Sequence, residues 1–135
     1  MIDPTVVALA GALRLAQPTA IDLRQTECIA DAVYHESRGE PLAAQIAVAS
    51  VVVNRGRPCV VVSARGQFAY RRRVDRRHHD VAAWRQSAEV ALLVQSGAVR
   101  AIPATHFHDT TVAPAWAARM TYVGRAGGME FWRAS

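Results

Sequence analysis

Two apolar helical segments divided by one short polar break constrain this 135-residue chain more than any other feature. Asp22 followed three residues later by Gln25 has the form of a capping box. From there Leu23, Ile29, Ala30, Val33 and Tyr34 share one helical face, up to about Glu36. Ser37-Arg38-Gly39 breaks the pattern. Pro41 restarts it as a first-turn proline, with Leu42, Ile46, Ala49 and Val53 on a stripe. The run Val51-Val52-Val53 leaves the end of this second segment open between helix and extended chain. Both segments are apolar enough to be core helices.

The remaining pattern fits around that pair. Asp3 as N-cap and Pro4 at the first helical position open a short helix carrying Val6, Leu9, Ala10 and Leu13. Residues 54–79 read as irregular and basic. Another helix runs from the N-cap Asp80 to about Ser96, closed by Gly97, with Val81, Trp84, Ala88, Ala91 and Leu92 as its buried stripe. Thr105 to Asp109 alternates like a short strand, and Pro114 opens a helical turn through Trp116. Met120–Val123 and Met129–Trp132 read as two more strands around Gly124, Gly127 and Gly128. The expected fold is α+β: a mainly helical single domain over 1–135 with a small C-terminal antiparallel sheet. Within it, 1–21 form an N-terminal helical segment and 22–135 the core. The length leaves no room for a second core of ordinary size.

The composition excludes several classes. At 51% hydrophobic and 20% charged, the chain is an ordinary globular one rather than a disordered one. Its apolar runs are too short to span a bilayer. All 16 basic residues are Arg, so lysine Schiff-base and P-loop chemistry are excluded. The net charge of +5 favours an anionic partner. Cys28 and Cys59 form no C-x-x-C, which removes zinc ribbons and thioredoxin-type motifs. They are either one disulfide or two buried thiols. The apolar run after Asp3 lacks a positive n-region and ends at Arg14, so a cleavable signal peptide is not expected.

Four groupings could carry chemistry. Tyr34-His35-Glu36-Ser37-Arg38-Gly39-Glu40 places two carboxylates at an apolar helix end, where desolvation can keep a carboxyl protonated as a general acid. The bland alternative is a solvated helix terminus with Arg38 pairing a carboxylate. His106 and His108 share one face of a strand and could ligate zinc, with a third ligand from His35, Glu36 or Asp109. Alternatively they line a polar cleft. Arg71, Arg72, Arg73, Arg76 and Arg77, preceded by Phe68 and Tyr70, could grip a nucleic acid. No nucleic-acid fold signature surrounds them, and a solvated polyanion-steering loop is the preferred reading. Nucleophilic catalysis has no G-x-S-x-G to support it.

The stretch Cys28-Ile29-Ala30-Asp31-Ala32-Val33-Tyr34-His35-Glu36-Ser37-Arg38-Gly39-Glu40-Pro41, continuing through Gln45 to Val53-Asn54-Arg55, resembles the spore cortex-lytic, cell wall hydrolase family. That family carries an E-A-R-G-E motif followed by a helix ending in N-R. Gly66-Gln67-Phe68, the segment Trp84–Gly97, Ala104-Thr105-His106-Phe107-His108 and Pro114-Ala115-Trp116 resemble its later segments, in order. The resemblance covers about residues 26–133. Ser37 stands where Ala is usual, and Met129 stands where a His is common. The interval between Asn54-Arg55 and Gly66 is shorter than usual, and the Arg71–Arg77 run is a local addition.

This resemblance implies a lysozyme- or transglycosylase-like cleft and cleavage of peptidoglycan glycan strands by a lytic transglycosylase. The catalytic acid position corresponds to Glu36. Gln67, Phe68, Thr105, His106 and Phe107 become the expected cleft wall. Arg38 and Glu40 are read as structural, Glu40 as a cap on the Pro41 helix. No metal or other cofactor is expected, nor a nucleic acid. A monomer is expected, with the arginine run available to an anionic envelope surface. The rival readings are a zinc hydrolase on His106 and His108, and an arginine-rich nucleic-acid binder. The expected location is synthesis in the cytoplasm and action on the wall, as a phage lysis or virion-associated enzyme. Both cysteines fall where the family often has them, which leaves disulfide and free thiols evenly open.

Overall fold

The computed structural model describes residues 2–13, 21–64 and 78–135, and in them helices come first and strands last. The helices are α1 (Pro4–Leu13), α2 (Leu23–Ser37), α3 (Leu42–Arg55), α4 (Pro58–Ser63) and α5 (Val81–Ser96). The strands are β1 (His106–Asp109), β2 (Thr121–Ala126) and β3 (Met129–Arg133), with a 3-10 turn at Ala115–Arg119. The α+β expectation holds: a mainly helical domain with a three-stranded antiparallel sheet. No helix among the described residues is long and apolar enough to cross a membrane.

Side-chain caps fix where α1, α2 and α5 begin. Asp22 accepts from the Arg24 and Gln25 amides, and Asp80 accepts from the Ala83 amide. Each satisfies donors that the first turn cannot pair internally. Asp3 accepts from the Thr5 amide with one oxygen and from Trp84 Nε1 with the other, so the α1 cap also ties α1 to α5. The capping box is only half formed. The Gln25 side chain accepts from the Cys59 amide at 2.8 Å instead of reaching back to Asp22.

The Val51-Val52-Val53 ambiguity resolves as helix, because all three lie within α3, where Val51 and Val52 are buried. The interval read as irregular contains α4, opened by Pro58 at its first position. A disulfide joins Cys28 of α2 to Cys59 of α4 across a sequence separation of 31 residues.

The core lies between α2, α3 and α5. Ile29, Val33 and Tyr34 meet Val48 and Val52 there, along with Trp84, Ala88 and Leu92. Each fully buried aliphatic side chain contributes about 1.5–3 kcal/mol. Trp84 is core, at 5% exposure, as its place on the helix stripe predicts.

The sheet order is β1-β3-β2, with β3 central. Its Met129 and Phe131 face the core. Met129, which replaces a His common in the resembling family, is therefore a packing residue here. A bulge between Tyr122 and Gly124 shifts the β2–β3 register.

Candidate functional site

The break between α2 and α3 is held from both sides. Glu36 lies in the last turn of α2 and is half-buried. Beside it, Ser37 Oγ donates to the Val33 carbonyl at 2.8 Å and is buried. Arg38 leaves the helix with its guanidinium 4.3 Å over the Tyr34 ring, a cation–π contact rather than a simple ion pair. Gly39 turns the chain at φ 85°, and the Glu40 amide donates to the Ser37 carbonyl.

Glu40 does not cap α3, which begins without a side-chain cap. Its carboxylate instead accepts from the Gly128 amide at 2.8 Å, in the β2–β3 turn. The Glu40 carbonyl accepts from Gln45 Nε2 at 3.1 Å. The turn that carries Glu36 is thereby bolted to the sheet.

Gly127 makes that attachment possible. Its φ is 56°, and a Cβ there would collide with the Glu40 carboxylate and lie 2.7 Å from Pro41 Cδ. Gly127→Ala is expected to lower stability by about 1–3 kcal/mol, from left-handed strain plus displacement of Glu40. Urea unfolding of the variant against wild type measures this. An unchanged midpoint contradicts the bolt.

A cavity of about 460 Å³ opens beside the sheet, lined by Arg55, His106, Phe107, His108, Pro114, Trp116 and Met120. Asn54 lies in the last turn of α3, next to Arg55. Its Nδ2 donates to the carbonyls of Ile102 (2.7 Å) and Ala104 (2.8 Å), fixing the approach to β1 at the end of α3. The neighbouring Arg55 then projects into the cavity.

His106 and His108 share a strand face, opposite Trp132 and Glu130 of β3. Phe107 between them also borders the cavity, and its ring lies 6.0 Å from Phe131. Thr105 does not line the cavity. Its Oγ1 lies 2.9 Å from His106 Nδ1 and accepts from the Ala134 amide, so it orients the imidazole and holds the chain end. His108 Nδ1 lies 2.7 Å from the Asp109 carbonyl and donates to it, and Nε2 lies 4.0 Å from Glu130 Oε2. Among the described residues, His106 and His108 are not gathered with a third metal-ligating side chain.

The electrostatics favour a neutral His106. Burial lowers its pKa, and the Arg55 guanidinium lowers it further. Arg55 is itself shifted down by burial. An NMR titration should therefore place the His106 midpoint below the ordinary value of about 6.5. Arg55→Gln should move it upward. Acidification through about 6.5 protonates the unfolded chain first, so this group weakens the fold as pH falls toward its lowered folded-state pKa. A midpoint at or above 6.5 contradicts the coupling.

Of the expected site residues, His106 and Phe107 come together at the cavity. Glu36 is not among the residues that line it. Arg38 and Glu40 brace the turn beside Glu36. Gln67, Phe68 and Arg71, Arg72, Arg73, Arg76 and Arg77 lie outside the described residues.

One grouping escaped the sequence reading. Asp31, His35 and His78 converge, with His78 Nε2 2.7 Å from Asp31 Oδ1. Asp31 and His35 stand four residues apart on α2, a spacing visible in the sequence. His78 joins them only through the tertiary fold.

The family profile described as Cell Wall Hydrolase matches residues 39–132. No curated protein matches the chain by sequence. Among solved structures, the chain is similar to the catalytic domain of the germination-specific lytic transglycosylase SleB from Bacillus anthracis. That match has a TM-score of 0.65 and 21% identity, and covers 86% of this chain and 99% of that one. It is also similar to the catalytic domain of the Bacillus cereus SleB protein, with a TM-score of 0.61 and 20% identity, covering 87% of this chain and 95% of that one.

Proposed function

The chain belongs to the cell wall hydrolase family, and on that premise we propose that it cleaves the glycan strands of peptidoglycan as a lytic transglycosylase, with Glu36 as the single acid and base. The observation that carries the reading is the family match over residues 39–132, which begins three residues after Glu36. The role of Glu36 itself rests on the Glu36-Ser37-Arg38-Gly39-Glu40 motif. The fold shared with a domain titled a lytic transglycosylase supports the choice of reaction.

An ordinary glycosidase needs two carboxylates, one as acid and one as base or nucleophile. Glu40 is the second carboxylate of the motif, and its hydrogen bond to Gly128 commits it to the sheet. A lytic transglycosylase manages with one. Glu36 protonates the glycosidic oxygen between MurNAc and GlcNAc. As the anion, it then takes the proton of the MurNAc 6-hydroxyl, whose oxygen attacks the anomeric carbon of the same sugar. The product is a 1,6-anhydro sugar, and no water is consumed. The nucleophile is already tethered, so its effective molarity is high.

The cavity at β1 supplies surfaces suited to a sugar: the Trp116 ring, the neutral His106 and the Arg55 cation. In this reading it holds part of the glycan, and the arginine run draws the protein to the anionic envelope. The same proposal places the protein at the bacterial wall, as a phage lysis or virion-associated enzyme acting as a monomer. Purified sacculi incubated with the protein test the activity. Release of soluble glycan fragments is expected. No release, together with salt-dependent binding to duplex DNA, contradicts the proposal in favour of a nucleic-acid binder.

A further inference from the structure

Asp31 and His35 stand one turn apart on α2, and His78 reaches them from the segment entering α5. One oxygen of Asp31 and one ring nitrogen from each histidine all lie within 4.8 Å of one another. We propose that these three side chains form a binding site for a divalent transition metal of the zinc type, clamping α2 to the start of α5.

The donor set chooses the metal. Two imidazoles and one carboxylate suit zinc and its neighbours, whereas calcium and magnesium take oxygen-rich shells. Neighbouring donors of a tetrahedral zinc lie about 3.3 Å apart, given metal–ligand bonds of about 2.0–2.1 Å. His78 and Asp31 are already at 2.7 Å, so they need to spread slightly while the widest pair closes by about 1.5 Å. Side-chain torsions cover both movements. Three protein ligands leave a fourth position for water.

The surroundings hold the ligands in place. Asp31 is 4% exposed, and a buried carboxylate is costly unless its charge is met. The His78 hydrogen bond meets part of that cost, and a dication meets more. The His78 ring stacks on Trp84 at 3.6 Å with planes 9° apart. Tyr34 stands edge-on to both imidazoles, at 5.1 Å from His35 and 4.9 Å from His78. The Asp80 amide donates to the Tyr34 hydroxyl at 2.9 Å, so the segment delivering His78 is itself pinned to α2. This aromatic wall orients the imidazoles as outer-shell groups do around metal ligands.

The test uses the full chain after dialysis against chelator, titrated calorimetrically with Zn²⁺ alone and, separately, with Co²⁺ as a spectroscopic probe. One equivalent of Zn²⁺ is expected to bind and to raise the melting temperature, Co²⁺ to give the visible bands of a tetrahedral site, and Ca²⁺ not to compete. His35→Gln and His78→Gln should each weaken Zn²⁺ binding by at least about tenfold, since even outer-shell losses cost that much. His106→Gln should leave it unchanged. If His78→Gln does not fold by circular dichroism, His35→Gln decides. No binding at submillimolar Zn²⁺, or binding that survives in both histidine variants, overturns the site and leaves Asp31–His78 a plain hydrogen-bonded pair. These readouts do not depend on glycan cleavage, so the site and the proposed activity fail separately.

Discussion

Glu36→Gln is expected to lower glycan cleavage by about 10²- to 10⁴-fold, the usual contribution of a positioned acid–base group. The substitution keeps the shape of the side chain and removes only its proton chemistry. Glu36 is half-buried at the end of α2, and Gln fits the same volume, so the fold should persist. The loss should fall on kcat rather than on KM, because the same carboxyl serves as acid in one half of the reaction and as base in the other. Glu40→Gln is the matched control. It retains an acceptor for the Gly128 amide but loses the charge that strengthens that bond, so a stability loss of about 1 kcal/mol is expected with cleavage retained. If Glu40→Gln abolishes cleavage and Glu36→Gln does not, the two roles are exchanged. Initial rates on purified sacculi, with unfolding curves for both variants, make the comparison.

Removing the disulfide is expected to cost about 3–4 kcal/mol, from the entropy returned to an unfolded chain whose cross-link spans 31 residues. The local structure argues that the cost is felt. α4 has only six residues, too few to hold a helix alone, and buries only Val61 and Val62. Its attachments to α2 include the Cys28–Cys59 bond and the hydrogen bond from the Cys59 amide to Gln25. Cys28→Ser/Cys59→Ser should therefore lower the urea midpoint, and reductant should lower the wild-type midpoint to the same value. Identical midpoints with and without reductant contradict a stabilising cross-link. Intact mass before and after alkylation establishes whether the bond is closed.

The parts of the fold legible in the sequence are those written locally. Asp22, Asp80 and Pro4 announce helix starts because capping and a fixed φ act within one turn. Gly97 announces a helix end for the same reason, with φ 83° at the end of α5. The strand at Phe131 is readable because one of its faces, Met129 and Phe131, is buried. What was missed depends on partners far along the chain. The Gln25 side chain reads as a capping-box member but is taken by Cys59, 34 residues away. The Glu40 carboxylate reads as a helix cap but is taken by Gly128, 88 residues away. The helix α4 hides in a basic stretch because six residues give too little periodicity to see.

The site divides in the same way. The motif that singles out Glu36 is contiguous and could be read directly. His106 could be placed on a strand, but its lowered pKa comes from burial first and from Arg55 second, and only folding supplies both. The approach of His78 to Asp31 and His35 had no local signal at all beyond the one-turn spacing on α2.

In the proposed mechanism one carboxyl, Glu36, cleaves the glycan by internal attack. Mass spectrometry of the soluble fragments from sacculi digested with the wild-type protein tests it most directly. Muropeptides ending in 1,6-anhydro-MurNAc are expected, and they should be absent from a Glu36→Gln digest. Fragments ending instead in a reducing sugar, one water heavier, contradict it and assign the chain to hydrolysis with a second group activating water.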